Sequence, residues 1–315
     1  MSYDDPGTAA SGTIFDRRYD AQVRTATFEW LNSQRSELGD VLPRTVLVRG
    51  FEFRGKRIYV IGPQGIFKPA ALRIPLSITT SPKGPYRDEF GPDGLLRYRY
   101  RETGPDHRDN VGLREAMLNG LPLVYFHGVL PGRYVAVWPV FVVADSRSGR
   151  AFSIAVDDPA HLGLSGGVGE DARLRREYVT VQTRRRLHQQ AFRERVLRAY
   201  QHQCTLCQLR RDELLDAAHI VPDSEPEGVA SVNNGLALCR LHHAAFDRFF
   251  VGVRPNYIIE VRQDVMADRD GPTLRHAIQG LNGRRIVLPR RKVDYPDAEA
   301  LSKRYERFRD RARAS

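Results

Sequence analysis

The sequence predicts an α+β protein of two domains, a mainly β domain followed by a mixed domain of short strands and helices. Between Thr45 and Val156, runs of β-branched and aromatic residues alternate with Gly and Pro, which is typical of a β barrel or sandwich. After residue 188 helical spacing returns, and all three cysteines fall between 204 and 239. A stretch containing Gly and Ser separates the two regions.

The N-terminal domain is expected over residues 1–160. Its first element is a helix, since DAQVRTATFEWLNSQ has apolar residues at helical spacing. Short strands should follow, because these runs combine β-forming residues with flanking turn residues: TVLVRGFEF, KRIYVIG, LRYRYR, PLVYFHGV, RYVAVWPVFVV and AFSIAV.

Residues 161–187 are expected to form a linker and a basic segment. The stretch DDPAHLGLSGGVGEDA, residues 157–172, has the composition of a linker. The C-terminal domain is then expected over residues 188–315. It begins with an amphipathic helix, because its apolar residues fall on one helical face: Phe192, Val196, Leu197 and Tyr200.

Composition limits the classes of protein that fit. Hydrophobic residues make up 41% of the chain and charged residues 28%, and no run approaches the ~18 apolar residues of a membrane span. The start, MSYDDPGTAASG, resembles neither a signal nor a transit peptide, so a cytoplasmic location is expected. The net charge of +11 favours a polyanionic partner such as nucleic acid. Basic surfaces also occur in proteins that bind no nucleic acid.

Two pairs of metal-binding residues lie in the C-terminal domain. Cys204 and Cys207 form a CxxC pair, and Cys239 and His242 form a CxxH pair after 31 intervening residues. Two such pairs are the usual ligand set of a tetrahedral structural zinc site. An odd number of cysteines also argues against a disulfide framework. The alternative is three buried free cysteines and a surface histidine.

If His242 binds zinc, the adjacent His243 is available for another site, because neighbouring helix residues point about 100° apart. His219, Asn234 and His243 then stand in the order His, Asn, His. With CTLC, AAHIVP, NNGLALC and HHAAFDRFF around them, residues 188–262 resemble the HNH nucleases. The resemblance implies a ββα-metal fold, two strands and a helix around one divalent ion.

The resemblance also implies a role for each residue in hydrolysis of a phosphodiester. His219 would be the general base, and an imidazole suits that role near neutral pH. His243 would bind the catalytic Mg²⁺ or Mn²⁺. Asp247, four residues later on the same helix face, is the candidate second ligand. Asn234 would orient His219 or the adjacent loop.

The sequence departs from the family at one position. Many relatives have a metal-binding Asp or His directly before the base, where this chain has Ala218. The ion would then depend on Asp247, waters and phosphate oxygens. Asp216, on the same strand face as Ala218, is a weaker candidate ligand. The alternative for Asp247 is an ordinary carboxylate on a helix surface.

Regions outside the motif add to the nuclease interpretation. Residues 281–315 hold 11 Lys or Arg against five acidic residues, and a basic terminal helix there would bind phosphates or form a solvated face. By architecture, the N-terminal domain resembles the SRA and PUA-like reader domains of modification-dependent restriction enzymes. This resemblance suggests a pocket for a flipped modified base. The candidate pocket residues, which could equally be packing residues of the barrel, are Tyr86, Asp88, Tyr98 and Tyr100.

The function expected from the sequence is therefore metal-dependent restriction of DNA that carries modified cytosine. One alternative is a sequence-specific HNH endonuclease acting on unmodified DNA. A second is a catalytically silent, zinc-stabilised DNA-binding protein. Double-stranded DNA is the expected partner, no membrane is expected, and a homodimer stays open.

Overall fold

A computed structural model describes residues 15–82, 89–91, 93–101, 104–156 and 170–313. The chain divides into two compact units, Met1–Leu187 and His188–Ser315. The structure is of the mixed α+β class, and this part of the sequence prediction is confirmed. Among the described residues, no helix has both the length and the apolar content that a membrane crossing requires.

The N-terminal unit is built on one mixed sheet. Helices α1 to α3 cover Arg17–Leu38, Arg44–Leu47 and Arg108–Leu118. The first five strands, β1 to β5, are Val41–Pro43, Phe51–Phe53, Lys56–Ile58, Ile66–Phe67 and Ser77–Thr80. Strands β6 to β10 follow at Glu89–Phe90, Leu96–Arg99, Leu123–Leu130, Arg133–Ser146 and Ala151–Val156.

Eight of these strands form the sheet in the order β4-β5-β8-β9-β10-β7-β6, with β1 beside β9. Strands β5 and β8 pair in parallel, and the other pairs are antiparallel. Among the described residues the edge strands β4 and β6 do not pair with each other, so the part of the sheet that the structure describes is not a closed barrel. Strands β2 and β3 form a separate hairpin.

Helix α1 begins where the sequence provides a cap. The Asp16 carboxylate accepts hydrogen bonds from the backbone N–H groups of Arg18 and Tyr19, which satisfies donors that have no partner within the helix. The helix ends at Gly39, whose φ of +84° suits glycine. Its buried face packs into the first core with the sheet through Val23 and Leu31.

The run TVLVRGFEF was expected to be a strand, and that prediction is wrong for its first part. Arg44–Leu47 forms the helical turn α2, and only Phe51–Phe53 is extended. Gly50 lies between them at φ +58°. A Cβ there would lie 1.9 Å from the carbonyl oxygen of Ile58, so the close approach of the hairpin to this turn requires glycine.

The C-terminal unit follows a different plan. Helix α4, Glu170–Ala199, ends in it, and strands β11 and β12 are Leu215–His219 and Gly235–Cys239. Helix α5, Arg240–Asp247, follows β12 directly. The remaining elements are β13 (Val251–Val253), β14 (Ile259–Val261), α6 (Gln263–Ala267), α7 (Pro272–Ala277) and α8 (Ala298–Arg313).

Strands β11 and β12 form the antiparallel pair that carries the site. Leu215 lies opposite Cys239, and His219 lies opposite Gly235. A Cβ at Gly235 would lie 2.5 Å from Val196 and 2.9 Å from Phe192, so glycine lets helix α4 approach the hairpin closely. Helix α4, the hairpin and α5 share one buried core.

Candidate metal centre and active site

The two cysteine-containing pairs converge on one point. Metal-binding atoms of Cys204, Cys207, Cys239 and His242 all lie within 4.8 Å of one another. His242 Nδ1 is 3.2 Å from the Cys239 sulfur and 3.4 Å from the Cys204 sulfur. The sulfurs of Cys207 and Cys239 are 4.0 Å apart. Tetrahedral zinc with Zn–S bonds of about 2.3 Å needs sulfurs about 3.8 Å apart, so the cluster fits that ion.

The surroundings of His242 suit a metal ligand. Its Nε2 lies 2.7 Å from the carbonyl oxygen of Ala277, which fixes the ring and leaves Nδ1 for the cluster. Burial lowers the pKa of His242, but hydrogen bonds to Cys204 and Cys239 outweigh burial, and its pKa is raised to about 10. Hydrogen bonding to Cys204 and Cys239 raises the pKa of Cys207. Three sulfurs so close together would need a cation to be stable as thiolates.

His219 lies at the end of β11, between the two cysteine-containing pairs in sequence but in a different environment. Its ring stacks on Phe192, with centroids 3.9 Å apart and planes inclined by 12°. Its Nε2 is buried and has no hydrogen-bond partner among the described residues. Burial lowers the pKa of His219. The imidazole is therefore neutral at neutral pH, which is the form that accepts a proton.

His243 contacts two carboxylates, one on each side of its ring. Nδ1 lies 3.3 Å from Oδ2 of Asp216, and Nε2 lies 3.3 Å from Oδ2 of Asp247. These hydrogen bonds raise the pKa of His243 to about 9. Asp247 is on the same helix, whereas Asp216 reaches the ring from β11. Strand and helix thus supply a histidine and two acids to one surface, with side chains 24% to 55% exposed.

Asn234 holds the chain that follows His219. Its side-chain oxygen accepts a hydrogen bond from Val221 N at 2.9 Å, and its amide donates to the carbonyl oxygens of Val221 and Val229, both at 3.0 Å. The side chain is buried. Asn234 stands at the end of the loop between β11 and β12, and it binds the start of that loop at Val221 and a later point at Val229.

Sequence reasoning missed one residue of this region and undervalued another. Arg304 of α8 is buried and lies 3.3 Å from Asp247, whereas the sequence predicted that the basic tail would either bind phosphates or form a solvated face. Asp216 ranked below Asp247 in the sequence, yet its contact with His243 is as short. The alternation of β11, which places Asp216 and Ala218 on one face, is the signal that favoured Asp216.

The expected pocket of the N-terminal domain is only partly described. Tyr86 and Asp88 lie outside the described residues. Tyr98 is 6% exposed and Tyr100 is 5% exposed, so both side chains lie in the interior. The Tyr100 hydroxyl contacts Asp145, and Arg114 lies over its ring at 5.6 Å.

Comparison with known proteins identifies part of the chain. Residues 204–254 match the family model described as HNH endonuclease. No curated protein matches the chain. A solved structure described as modification-dependent TagI restriction endonuclease shares 16% identity over 74% of this chain and 81% of its own, with a TM-score of 0.28.

A second solved structure, the type IV phosphorothioation-dependent restriction endonuclease ScoMcrA, shares 17% identity over 58% of this chain and 50% of its own. Its TM-score is 0.21. The family match covers both cysteine pairs, His219, Asn234 and His243. Residues 204–254 of the chain are therefore similar to the HNH endonuclease family.

Proposed function

We propose that the protein is a metal-dependent DNA endonuclease that hydrolyses phosphodiester bonds. The observation that carries the proposal is the HNH match over residues 204–254, within which β11 ends at His219 and helix α5, which packs on β11, carries the His243–Asp247 contact. A net charge of +11 on the chain suits a polyanionic substrate.

In this proposal His219 is the general base. Its Nε2 is buried without a partner among the described residues, which leaves Nδ1 to take a proton from the attacking water. Stacking on Phe192 holds the ring in place. Asn234 acts indirectly, because it fixes the loop that leaves β11 directly after His219.

His243 and Asp247 are the proposed ligands of a catalytic Mg²⁺ or Mn²⁺, with Asp216 as the competing carboxylate. Oxygen and imidazole ligands suit such ions. When bound, the ion would polarise the phosphate and stabilise charge on the leaving oxygen. Nδ1 of His243 faces Asp216 and Nε2 faces Asp247. The ion would bind one of these nitrogens in place of its proton, and the other nitrogen would keep its hydrogen bond to a carboxylate.

We further propose that Cys204, Cys207, Cys239 and His242 bind one structural zinc. Their mutual distances within 4.8 Å support this assignment. The cysteines would then serve as metal ligands rather than as disulfides, which suits the reducing cytoplasm as the location of the protein.

Nicking of a supercoiled plasmid tests the proposed activity. Wild-type protein should nick it with Mg²⁺ or Mn²⁺, and a chelator should stop the reaction. His219→Ala should lower the rate by about 10²- to 10⁴-fold, because a general base contributes that much, while zinc content and DNA affinity stay unchanged.

The matched control is His202→Ala, since His202 is a partly exposed histidine of the same unit that pairs with Asp212. It should cut at the wild-type rate. Wild-type protein that binds DNA but never cuts it would favour the catalytically silent alternative. Normal cutting by His219→Ala would refute the assignment of the base.

The narrower proposal is restriction of DNA carrying modified cytosine, with the N-terminal unit as an SRA- or PUA-like reader. Its support is that an HNH site contacts mainly the phosphate backbone, which carries no sequence information. Selectivity for modified DNA would therefore have to come from another domain. The alternative is a sequence-specific endonuclease for unmodified DNA. Double-stranded DNA is the proposed partner in both cases, and a homodimer remains an open alternative to the monomer.

A further inference from the structure

Helix α8 places a buried cation next to the candidate active site. Arg304 is 8% exposed, and arginine is rarely buried without partners. It lies 50 residues beyond the end of the HNH match at residue 254. The family segment alone therefore does not include this group.

The guanidinium of Arg304 contacts both halves of the site. Nη1 donates to the carbonyl oxygen of Ile220, the residue directly after His219, at 3.2 Å. Nη2 donates to the carbonyl oxygen of Phe246 at 2.9 Å and to Oδ1 of Asp247 at 3.3 Å. One planar group thus joins the end of β11 to the last turn of α5.

We propose that Arg304 is a positioning residue of the nuclease site, which fixes the base His219 relative to the His243–Asp247 pair by binding the chain on both sides. The proposal rests on the proposed nuclease function. It assigns the terminal helix a role in assembling the site, beyond any contact of its exposed cations with phosphate.

The guanidinium of Arg304 orients the carboxylate of Asp247. One carboxylate oxygen lies 3.3 Å from Arg304, and the other lies 3.3 Å from Nε2 of His243. Asp247 itself is 55% exposed, so packing alone does not fix its rotamer. Arg304 occupies one oxygen and directs the other towards His243.

Lysine would not serve in the same way. The Arg304 guanidinium lies over the Phe246 ring at 3.9 Å and the Phe249 ring at 5.0 Å, an arrangement that suits a flat cation. Its two terminal nitrogens bind three acceptors on two elements, whereas an ammonium is a single point of charge. Burial lowers the pKa of Arg304 to about 10, so it is still charged at neutral pH.

Arg304→Lys and Arg304→Ala test the proposal, and Arg309→Gln is the control for charge. It removes an exposed cation of the same helix, so any lost phosphate contact would raise the KM for DNA while kcat stays unchanged. Both Arg304 variants should lower kcat for DNA nicking by about 10²-fold, the usual effect of a small misplacement of catalytic groups. The KM for DNA should change by less than about twofold, because the lost interaction is not a binding contact with substrate.

Two further measurements separate positioning from packing. Millimolar guanidinium should restore part of the activity of Arg304→Ala, and urea at equal concentration should not. In spectra of ¹⁵N-histidine protein, Arg304→Lys should shift the imidazole signals of His219 and His243 while the signal of His242 stays. Arg309→Gln should shift none of the three.

The proposal would be overturned if Arg304→Lys had the same kcat as the wild type. It would also be overturned if melting curves showed that the loss of cleavage is fully explained by loss of folded protein. It would also be overturned if the signals of His219 and His243 did not move. If the wild-type protein itself never cuts DNA, the proposed function fails, and the histidine spectra still decide whether Arg304 positions the two side chains.

Discussion

At the scale of single residues, two carboxylates compete to bind the proposed catalytic ion together with His243. Asp216 and Asp247 each lie 3.3 Å from one of its nitrogens, so only one can share a cation with it. Asp247 is on the helix of His243 and is held by Arg304, whereas Asp216 is also 3.8 Å from Arg193. We therefore propose that Asp247, the oriented carboxylate, is the ligand of the ion and that Asp216 orients the ring.

We therefore expect Asp247→Asn to raise the Mn²⁺ concentration for half-maximal nicking more than Asp216→Asn does. Loss of an outer partner costs about 10- to 100-fold in metal affinity or activity, and Asp216→Asn should fall in that range. Titration of both variants with Mn²⁺ measures the effect, and Asp212→Asn, which removes an acid paired with His202, is the control. A larger loss in Asp216→Asn would move the ion to the other side of the ring.

The residues within the motif could be found from sequence because their spacing is local. Cys204 and Cys207, or Cys239 and His242, need only a tight turn to come together. Arg304 could not be found, because its contact with Ile220 spans 84 residues and depends on how α8 packs. Nor does the sequence distinguish Arg304 from the exposed arginines beside it.

At the scale of elements, the close approach of α4 to the β11–β12 pair depends on Gly235. Gly235→Ala would place a Cβ 2.5 Å from Val196 and 2.9 Å from Phe192. Such overpacking typically costs about 1–3 kcal/mol, and it would push Phe192 away from the ring of His219. We expect a lower free energy of unfolding and slower nicking.

Chemical denaturation and the plasmid assay measure both effects. Gly271→Ala is the matched control, because a Cβ at Gly271 meets no atom within 4 Å. It should change the stability by no more than about 0.5 kcal/mol. Equal stabilities for the two variants would show that the β11–β12 pair can move away from α4 at little cost.

The proposed zinc ligands lie in the segment before β11 and at the junction of β12 and α5. Because a structural zinc contributes its binding energy to folding, Cys204→Ser should lower both the zinc content and the melting temperature. Zinc per chain by metal analysis should be one for the wild type and for His202→Ala. Soluble, active protein without tightly held zinc would contradict the assignment.

The secondary structure was predicted well where periodicity is strong and less well where glycine sets the path. Helix α1 and strands β8 to β10 fall where their apolar patterns indicated. The helical turn Arg44–Leu47 was missed, because its β-branched residues favour a strand locally. The tertiary requirement that Gly50 lie against Ile58 cannot be read from so short a run.

At the scale of the whole molecule, the two compact units fit the proposal that one unit cleaves DNA and the other selects it. The mixed α+β class was predictable from composition and pattern, whereas the unclosed sheet of the described residues was not, because closure depends on pairings between strands far apart in sequence. The buried positions of Tyr98 and Tyr100 likewise depend on which face of the sheet is covered.

We expect the fragment of residues 188–315 to nick DNA with little discrimination, because backbone contacts carry no sequence information. The full chain should cut a plasmid bearing methylated or hydroxymethylated cytosine faster than the same plasmid unmodified. Preference for the modified duplex should survive added salt better than total affinity does, since salt mainly weakens phosphate contacts.

Competition between the two plasmids in one reaction, with the fragment as control, measures this preference. Equal rates for the full chain on both plasmids would favour the alternative in which the protein reads unmodified sequence. Discrimination by the fragment alone would place the selectivity within the HNH unit.

The neighbouring histidines of α5 also constrain how this protein can change over generations. His242 faces the sulfur cluster and His243 faces the two carboxylates, so adjacent residues of one helix lie in two different sites. Inserting or deleting one residue beside them would turn the helix by about 100° and disturb both sites together. Substitutions can accumulate at the exposed positions Arg240 and Leu241 of α5, whereas insertions and deletions in this helix should be rejected, because two independent sites fix its length and phase.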